Sequence, residues 1–304
     1  VALAGALFVN DAMYPRERLA LAAALAVPLA LGGAALAAFK LAYYGDLFPT
    51  AFYSKSALDP FYTQGMYYVY LFFKKHWFLI PLVLVVTALG LAHRARVGIP
   101  RSRSHGVLLV AFVAFTAYVA HSGGDFMFAR RLIPALPLLF IVIEDSMVAL
   151  AGWPTRAAVA ALVAVGLALP YPIYLTPTER LRGIADEPAY YTPSYVELRR
   201  AQAQVAARVL ARAPVRAMFE GGMCMFGYYS GLPYLAEMTG LTQYSLAKAP
   251  LEARGHVGHE KVADPGWMTA HDIHFIFAQE PADPRAEPRV DEIVFGGILK
   301  ARIW

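Results

Sequence analysis

The sequence predicts a polytopic α-helical membrane domain, about five transmembrane helices plus an interfacial segment, followed by a small soluble α/β domain. Three observations predict it. Hydrophobic residues make up 58% of the 304 and charged ones only 16%, whereas a soluble domain is about 45–50% apolar and 25% charged. Long apolar runs recur across residues 1–174 and then cease. Beyond residue 175 the chain turns to one amphipathic helical pattern and short strand-like runs. The domains predicted are therefore 1–174 and 175–304.

The elements follow in order. Val1 to Val9 is apolar but too short to span. No initiator Met and no basic n-region precede it, so it reads as the tail of a helix, and Val1 as an internal residue of a longer protein. Leu19 to Tyr43 is Ala/Leu-rich and exceeds the ~20 residues that a span needs. Trp77 to Ala92 is shorter and is read as extending back through Tyr67–Phe73. Val107 to Ala120, Leu132 to Leu150 and Ala157 to Tyr174 complete the set. Pro28, Pro81, Pro134 and Pro137 interrupt these runs, which packed membrane helices tolerate.

Orientation comes from the loops. His93 to His105 carries Arg94, Arg96, Arg101 and Arg103 and no acid, so it reads as cytoplasmic. Alternation then places Tyr44–His76, Ser122–Arg131 and everything after Thr176 outside a bacterial cytoplasmic membrane. Lys55, Lys74, Lys75, Arg130 and Arg131 fall on that outer side, where basic residues are disfavoured. They come with acids, Asp46, Asp59 and Asp125, which favours a built site over a plain topology signal.

Residues 44–75 interleave apolar, aromatic and polar side chains and belong in the interface. Most of their tyrosines, Tyr68 among them, read as an aromatic belt. Gly45 and Pro49 suit a tight turn past the first span, leaving Asp46 and Lys55 over the mouth of the bundle. Residues 175–193 read as a linker. Ser194 with Glu197 makes a capping-box pattern for a helix running to about Arg212. Val215–Phe219, Leu232–Ala236, Ile273–Ala278 and Asp291–Phe295 read as strands.

Net charge is +5, with scattered basic residues, which is no nucleic-acid signature. The single Cys224 excludes an intrachain disulfide. His256-x-x-His259-Glu260 is not the HExxH zinc pattern, and His271, Asp272 and His274 read as cap and turn residues. Phe219–Cys224 lacks the full GxGxxG spacing.

The most informative stretch is HSGGDFMFARRLIPALP, residues 121–137. Two glycines, one carboxylate and two adjacent arginines sit where apolar runs leave the bilayer. Charge placed there is costly unless it pairs, and a lipid-borne phosphate is a fitting partner. The competing reading is a turn with snorkelling arginines.

YYGDLFPTAFYSK (43–55), GGDFMFARRLIPALP (123–137), MTGLTQYSLAK (238–248) and GHVGHEK (255–261) together resemble the membrane-embedded GT-C glycosyltransferases, closest to the terminal arabinofuranosyltransferases and their bacterial relatives. The departures are Thr50–Ala51, where that pattern has Asn-Thr, and Gln243, where it has Asp. The resemblance implies a polyprenyl-phosphate-linked sugar donor, arabinofuranose among the sugars, and a cell-envelope glycan or protein as acceptor. It places the catalytic Asp on an outer loop upstream of Val1. It makes Lys55, Arg130 and Arg131 the donor-phosphate residues, with Asp125, Asp46 and Tyr44 in the same layer, and His259 on the acceptor side. Lys55 and at least one arginine are expected to converge near Asp125. No cofactor is assigned and metal dependence stays open. Two alternatives remain: a transporter or channel component with an outer-facing charged cavity, and a non-catalytic envelope protein anchored in the membrane.

Overall fold

The computed structural model describes residues 15–56, 58–97, 103–149, 152–168, 183–185, 191–210, 212–221, 224–278 and 291–304. The chain forms two compact units, Val1–Leu47 with Asp59–Tyr174, and Phe48–Leu58 with Leu175–Trp304. A short segment from between the apolar runs thus belongs with the C-terminal residues.

The first unit is helical: α1 (Pro15–Tyr44), α3 (Tyr62–Lys75), α4 (Leu79–Arg96), α5 (Arg103–His121), α6 (Leu136–Ala149) and α7 (Trp153–Ala168); α2 (Thr50–Ser54) belongs to the second unit. A single 3-10 turn, Ile133–Ala135, leads into α6. Two helices, α1 and α4, are long and apolar enough to cross a membrane, and the apolar parts of α5 and α7 are shorter. The second apolar run does not extend back through Tyr67–Phe73. Those residues form the separate helix α3, and the chain breaks at His76–Phe78 before α4 starts.

One face of α3 is buried: Gln64, Gly65, Tyr68, Leu71 and Phe72, the i, i+4, i+7 stripe of an amphipathic helix. It lies against α5, and Gly65 makes that approach close, since a Cβ there would stand 1.9 Å from the Ala120 carbonyl oxygen. Phe61 N–H donates to His121 O at 2.7 Å, fixing the start of α3 at the end of α5. Tyr68 is therefore no belt residue: it is 1% exposed. At the other end of the α5–α6 pair, Arg94 Nη2 donates to Asp145 Oδ2 at 2.8 Å, and His105 Nε2 lies 2.5 Å from the same oxygen. The end of α4, the start of α5 and the end of α6 are clamped together there.

The second unit is α/β. Its further elements are α8 (Pro193–Leu210), β1 (Arg216–Phe219), α9 (Cys224–Ser230), β2 (Tyr234–Glu237), α10 (Tyr244–Ala247), α11 (Pro265–Ala270), β3 (Phe275–Phe277), β4 (Glu292–Phe295) and β5 (Leu299–Ile303). The strand order is β2-β1-β3-β5-β4. β1 pairs in parallel with β2 and β3, and β5 pairs antiparallel with β3 and β4. Alternate residues of β1 feed the two faces. Ala217 and Phe219 join Ala203, Val205 and Ala206 of α8, while Met218 joins Leu246, Met268 and Ile276.

Two sequence expectations change here. The cap of α8 is Thr192, not Ser194: Thr192 Oγ1 accepts from Tyr195 N–H at 3.2 Å, which leaves Pro193 at the first helical position, where a fixed φ and a missing N–H cost nothing. The strand β5 was not expected from the sequence. Its signal was present as Gly296-Gly297, both at positive φ, between two alternating runs, a hairpin cue. Val1–Val9, Arg101, Gly222, Met223 and most of the linker expected at 175–193 lie outside the described residues.

Candidate functional site

The turn between α5 and α6 is built on Tyr68. Its hydroxyl donates to Met127 O at 3.0 Å and accepts from Arg131 N–H at 3.2 Å. Gly124 lies against the ring, where a Cβ would meet Tyr68 at 2.4 Å. Gly123, Gly124 and Ala129 take positive φ, the conformation in which glycine has no steric penalty. Burial pushes the Tyr68 phenol above its ordinary pKa, with the Asp125 carboxylate adding to the rise, so it remains a neutral hydrogen-bonding group.

This backbone separates the two arginines. Arg131 turns inward: Nη1 donates to Ser122 Oγ at 2.7 Å and to Gly124 O at 2.8 Å, and its guanidinium lies 5.3 Å from the Tyr118 ring centroid. Arg130 turns outward, its side chain 43% exposed. Its Nε and Nη2 both donate to Asp125 Oδ2, at 2.8 and 2.5 Å. Asp125 is 3% exposed, and its Oδ1 accepts the Phe126 N–H at 2.9 Å. A buried carboxylate thus holds an outward guanidinium; its Nη1 also donates to Met127 Sδ, and one N–H on each Nη remains to meet an anion. The Phe126 ring lies 5.3 Å from the guanidinium carbon. Lys75, on the adjoining helix, carries its ammonium 5.2 Å from the Phe128 ring centroid. Asp125, Arg130, Arg131 and Lys75 sum to a net positive turn. Lys75 is among the outer cations that the sequence singled out; the contribution of Tyr68 was missed, although the apolar stripe of α3 pointed to it.

The other sequence candidates are placed as follows. Tyr44 ends α1 in an aromatic group, its ring 4.7 Å from Tyr43 and 6.1 Å from Phe39. Asp46 follows in the turn that Gly45 makes at φ +71. Lys55 is the residue after α2 and belongs to the second unit, whereas Asp125, Arg130 and Arg131 belong to the first. His259 shares the second unit with Lys55; its ring stacks on His256 at 4.8 Å, and His256 Nε2 lies 3.0 Å from Gly183 O. His271 Nδ1 lies 2.8 Å from Trp267 O and His274 Nδ1 accepts the Arg216 N–H at 3.0 Å, as cap and turn residues do. Among the described residues no group of three or more His, Cys, Asp or Glu is arranged to hold a metal ion.

Glu237 ends β2 and is 3% exposed. Among the described residues its Oε2 has no hydrogen-bond partner. Burial raises its pKa, against the opposing pull of the Thr239 hydroxyl and the Leu241 N–H. A carboxyl with a raised folded-state pKa holds its proton more tightly when folded. Its contribution to stability is complete below the unfolded pKa and is lost as pH rises through the folded one. Glu237→Gln is therefore expected to raise the melting temperature at about pH 8 and to leave it unchanged at about pH 4, below the ordinary Glu value. A difference between variant and parent that is flat across pH would contradict the burial argument.

Comparison with known proteins yields no match: no family model, no curated protein and no solved structure.

Proposed function

We propose that this chain belongs to a membrane glycosyltransferase of the GT-C type, which moves a sugar from a polyprenyl-phosphate donor to a cell-envelope glycan or protein. The observation that carries the reading is the outward Arg130 guanidinium gripped by buried Asp125 at the turn between two apolar helices. As the anomeric C–O bond breaks, charge develops on the departing lipid phosphate. A guanidinium already oriented stabilises that charge without reorganising. Its flat fork suits phosphate oxygens. The acceptor hydroxyl needs a base, and Asp125 is not that base, because its carboxylate is buried and spent on Arg130. Arabinofuranose as the sugar rests on the sequence resemblance.

In this reading α1, α4, α5, α6 and α7 are the membrane helices, α3 lies in the outer interface, and the second unit stands outside a bacterial cytoplasmic membrane. The Arg94–His105–Asp145 clamp marks the cytoplasmic end of the bundle, and the Arg130 turn marks the opposite end of α5. The apolar part of α5, His105–His121, is about 25 Å long at 1.5 Å per residue, a little under the ~30 Å hydrocarbon core.

Two measurements on the full-length protein test this. Reporter fusions at Ser102 and Glu252 are expected to give opposite signals; equal signals would put the Arg130 turn or the second unit on the wrong side. Membranes containing the protein are expected to pass labelled sugar from a polyprenyl-phosphate donor to an acceptor glycan and to fail with the nucleotide-linked sugar. Transfer from the nucleotide sugar alone would overturn the donor assignment.

A further inference from the structure

We propose that Lys261 is a positioning residue that clips residues 48–58 to the C-terminal unit, so that this unit presents Lys55. The role given to Lys55 rests on the glycosyltransferase reading above; the clip itself does not.

Lys261 is 9% exposed. Its ammonium donates to Tyr53 O at 3.0 Å and to Ala247 O at 2.5 Å. These carbonyls lie in the last turns of two short helices, α2 and α10, where intrahelical partners run out. One buried cation therefore closes both helices and joins them. The segments it joins are far apart in sequence: Tyr53 precedes Lys261 by 208 residues. The rings add to the joint. The Lys248 ammonium lies 4.6 Å from the Tyr53 ring centroid and 4.3 Å from that of Tyr244, and the two rings meet edge-on at 6.0 Å.

The clip reaches Lys55 through a shared carbonyl. Tyr53 O also accepts the Ser56 N–H at 3.1 Å, and the Lys55 N–H bonds Ala51 O at 3.3 Å. Ser56 takes φ +45, so the turn carrying Lys55 is held in a sparsely populated conformation that needs outside support. The loop on the other side is tied together by Glu260. The Glu260 side chain is fully buried, 3.1 Å from Arg254 Nη1, and its Oε1 accepts the Gly255 N–H at 3.0 Å. Lys261 is thus anchored by its own loop, with its ammonium on two backbone carbonyls.

The test uses Lys261→Met in the full-length protein, which keeps the stem and removes the charge. Amides of residues 50–56 are expected to exchange about tenfold faster, while those of β1, β2 and β3 keep their protection. In the transfer assay the donor KM is expected to rise about tenfold with kcat within about twofold, the mark of lost binding rather than lost chemistry. Lys55→Met with Lys261→Met is expected to be no worse than Lys55→Met alone, because both act on the same contact. If Lys261→Met does not fold, Lys248→Met removes the ring contacts, keeps both carbonyl contacts of Lys261, and is expected to loosen the same amides by less. Unchanged exchange at 50–56, or exchange faster throughout the sheet, would overturn the clip. Faster exchange with an unchanged donor KM would overturn the presentation of Lys55. A parent protein that transfers nothing from polyprenyl-phosphate donors defeats the glycosyltransferase reading, and the exchange measurement still decides the clip.

Discussion

Gly65→Ala is expected to destabilise the first unit strongly. The added methyl would stand 1.9 Å from Ala120 O, 2.6 Å from its carbonyl carbon and 2.8 Å from its Cα. All three atoms are backbone of α5, so no side chain can swing aside, and α3 must lift from α5. Overpacking costs about 1–3 kcal/mol, occasionally more, and a rigid obstacle places this site at the upper end. The loss reaches the site, because the same helix carries Tyr68, on which the Arg130 turn is built. Gly32→Ala in α1 is the control: nothing lies within 4 Å of its added methyl, and Ala is the better helix former by about 0.5–1 kcal/mol. Thermal unfolding in detergent separates the two. A Gly65→Ala protein that melts with its parent would mean that α3 does not pack on α5 as described.

Arg130→Lys in the full-length protein is expected to lower sugar transfer about ten- to a hundredfold. A lysine keeps the charge but cannot grip Asp125 through two nitrogens and still offer N–H groups outward. Losing a charge-assisted hydrogen bond costs about 1.5–3 kcal/mol, which is that range of rate. Arg131→Lys is expected to act differently. Its guanidinium is spent on Ser122 and Gly124, so its loss should lower the melting temperature and leave the donor KM of the folded fraction unchanged. Arg96→Lys, at the end of α4, is the control. Arg94 is unsuited because it holds Asp145. If Arg130→Lys transfers as well as its parent, Arg130 is an interfacial anchor and not a phosphate ligand.

The two arginines show how far sequence reasoning reached. Adjacent cations at the end of an apolar run marked the turn as costly and therefore worth attention. Nothing local distinguishes Arg130 from Arg131. The distinction is made by a hydroxyl 63 residues away, Tyr68, which fixes the Arg131 N–H, and by the positive φ of Gly123, Gly124 and Ala129. Lys55 shows the same limit. Its segment belongs to the second unit, and the Lys261 ammonium that meets Tyr53 O beside it is a partner that periodicity cannot reveal.

By itself, the sequence determined where helices form, at each of the five apolar runs, and where β1 to β4 form. It also determined that character changes near residue 175. These properties follow from period and run length, which are local. Tertiary structure alone decided that α3 is separate from α4, that Thr192 caps α8, and that residues 48–58 join the C-terminal unit. Each of these depends on which distant group takes a hydrogen bond or fills a gap. That choice is settled by the packing of whole elements, because a buried polar group or a close backbone approach acquires its energy only when its partner is in place.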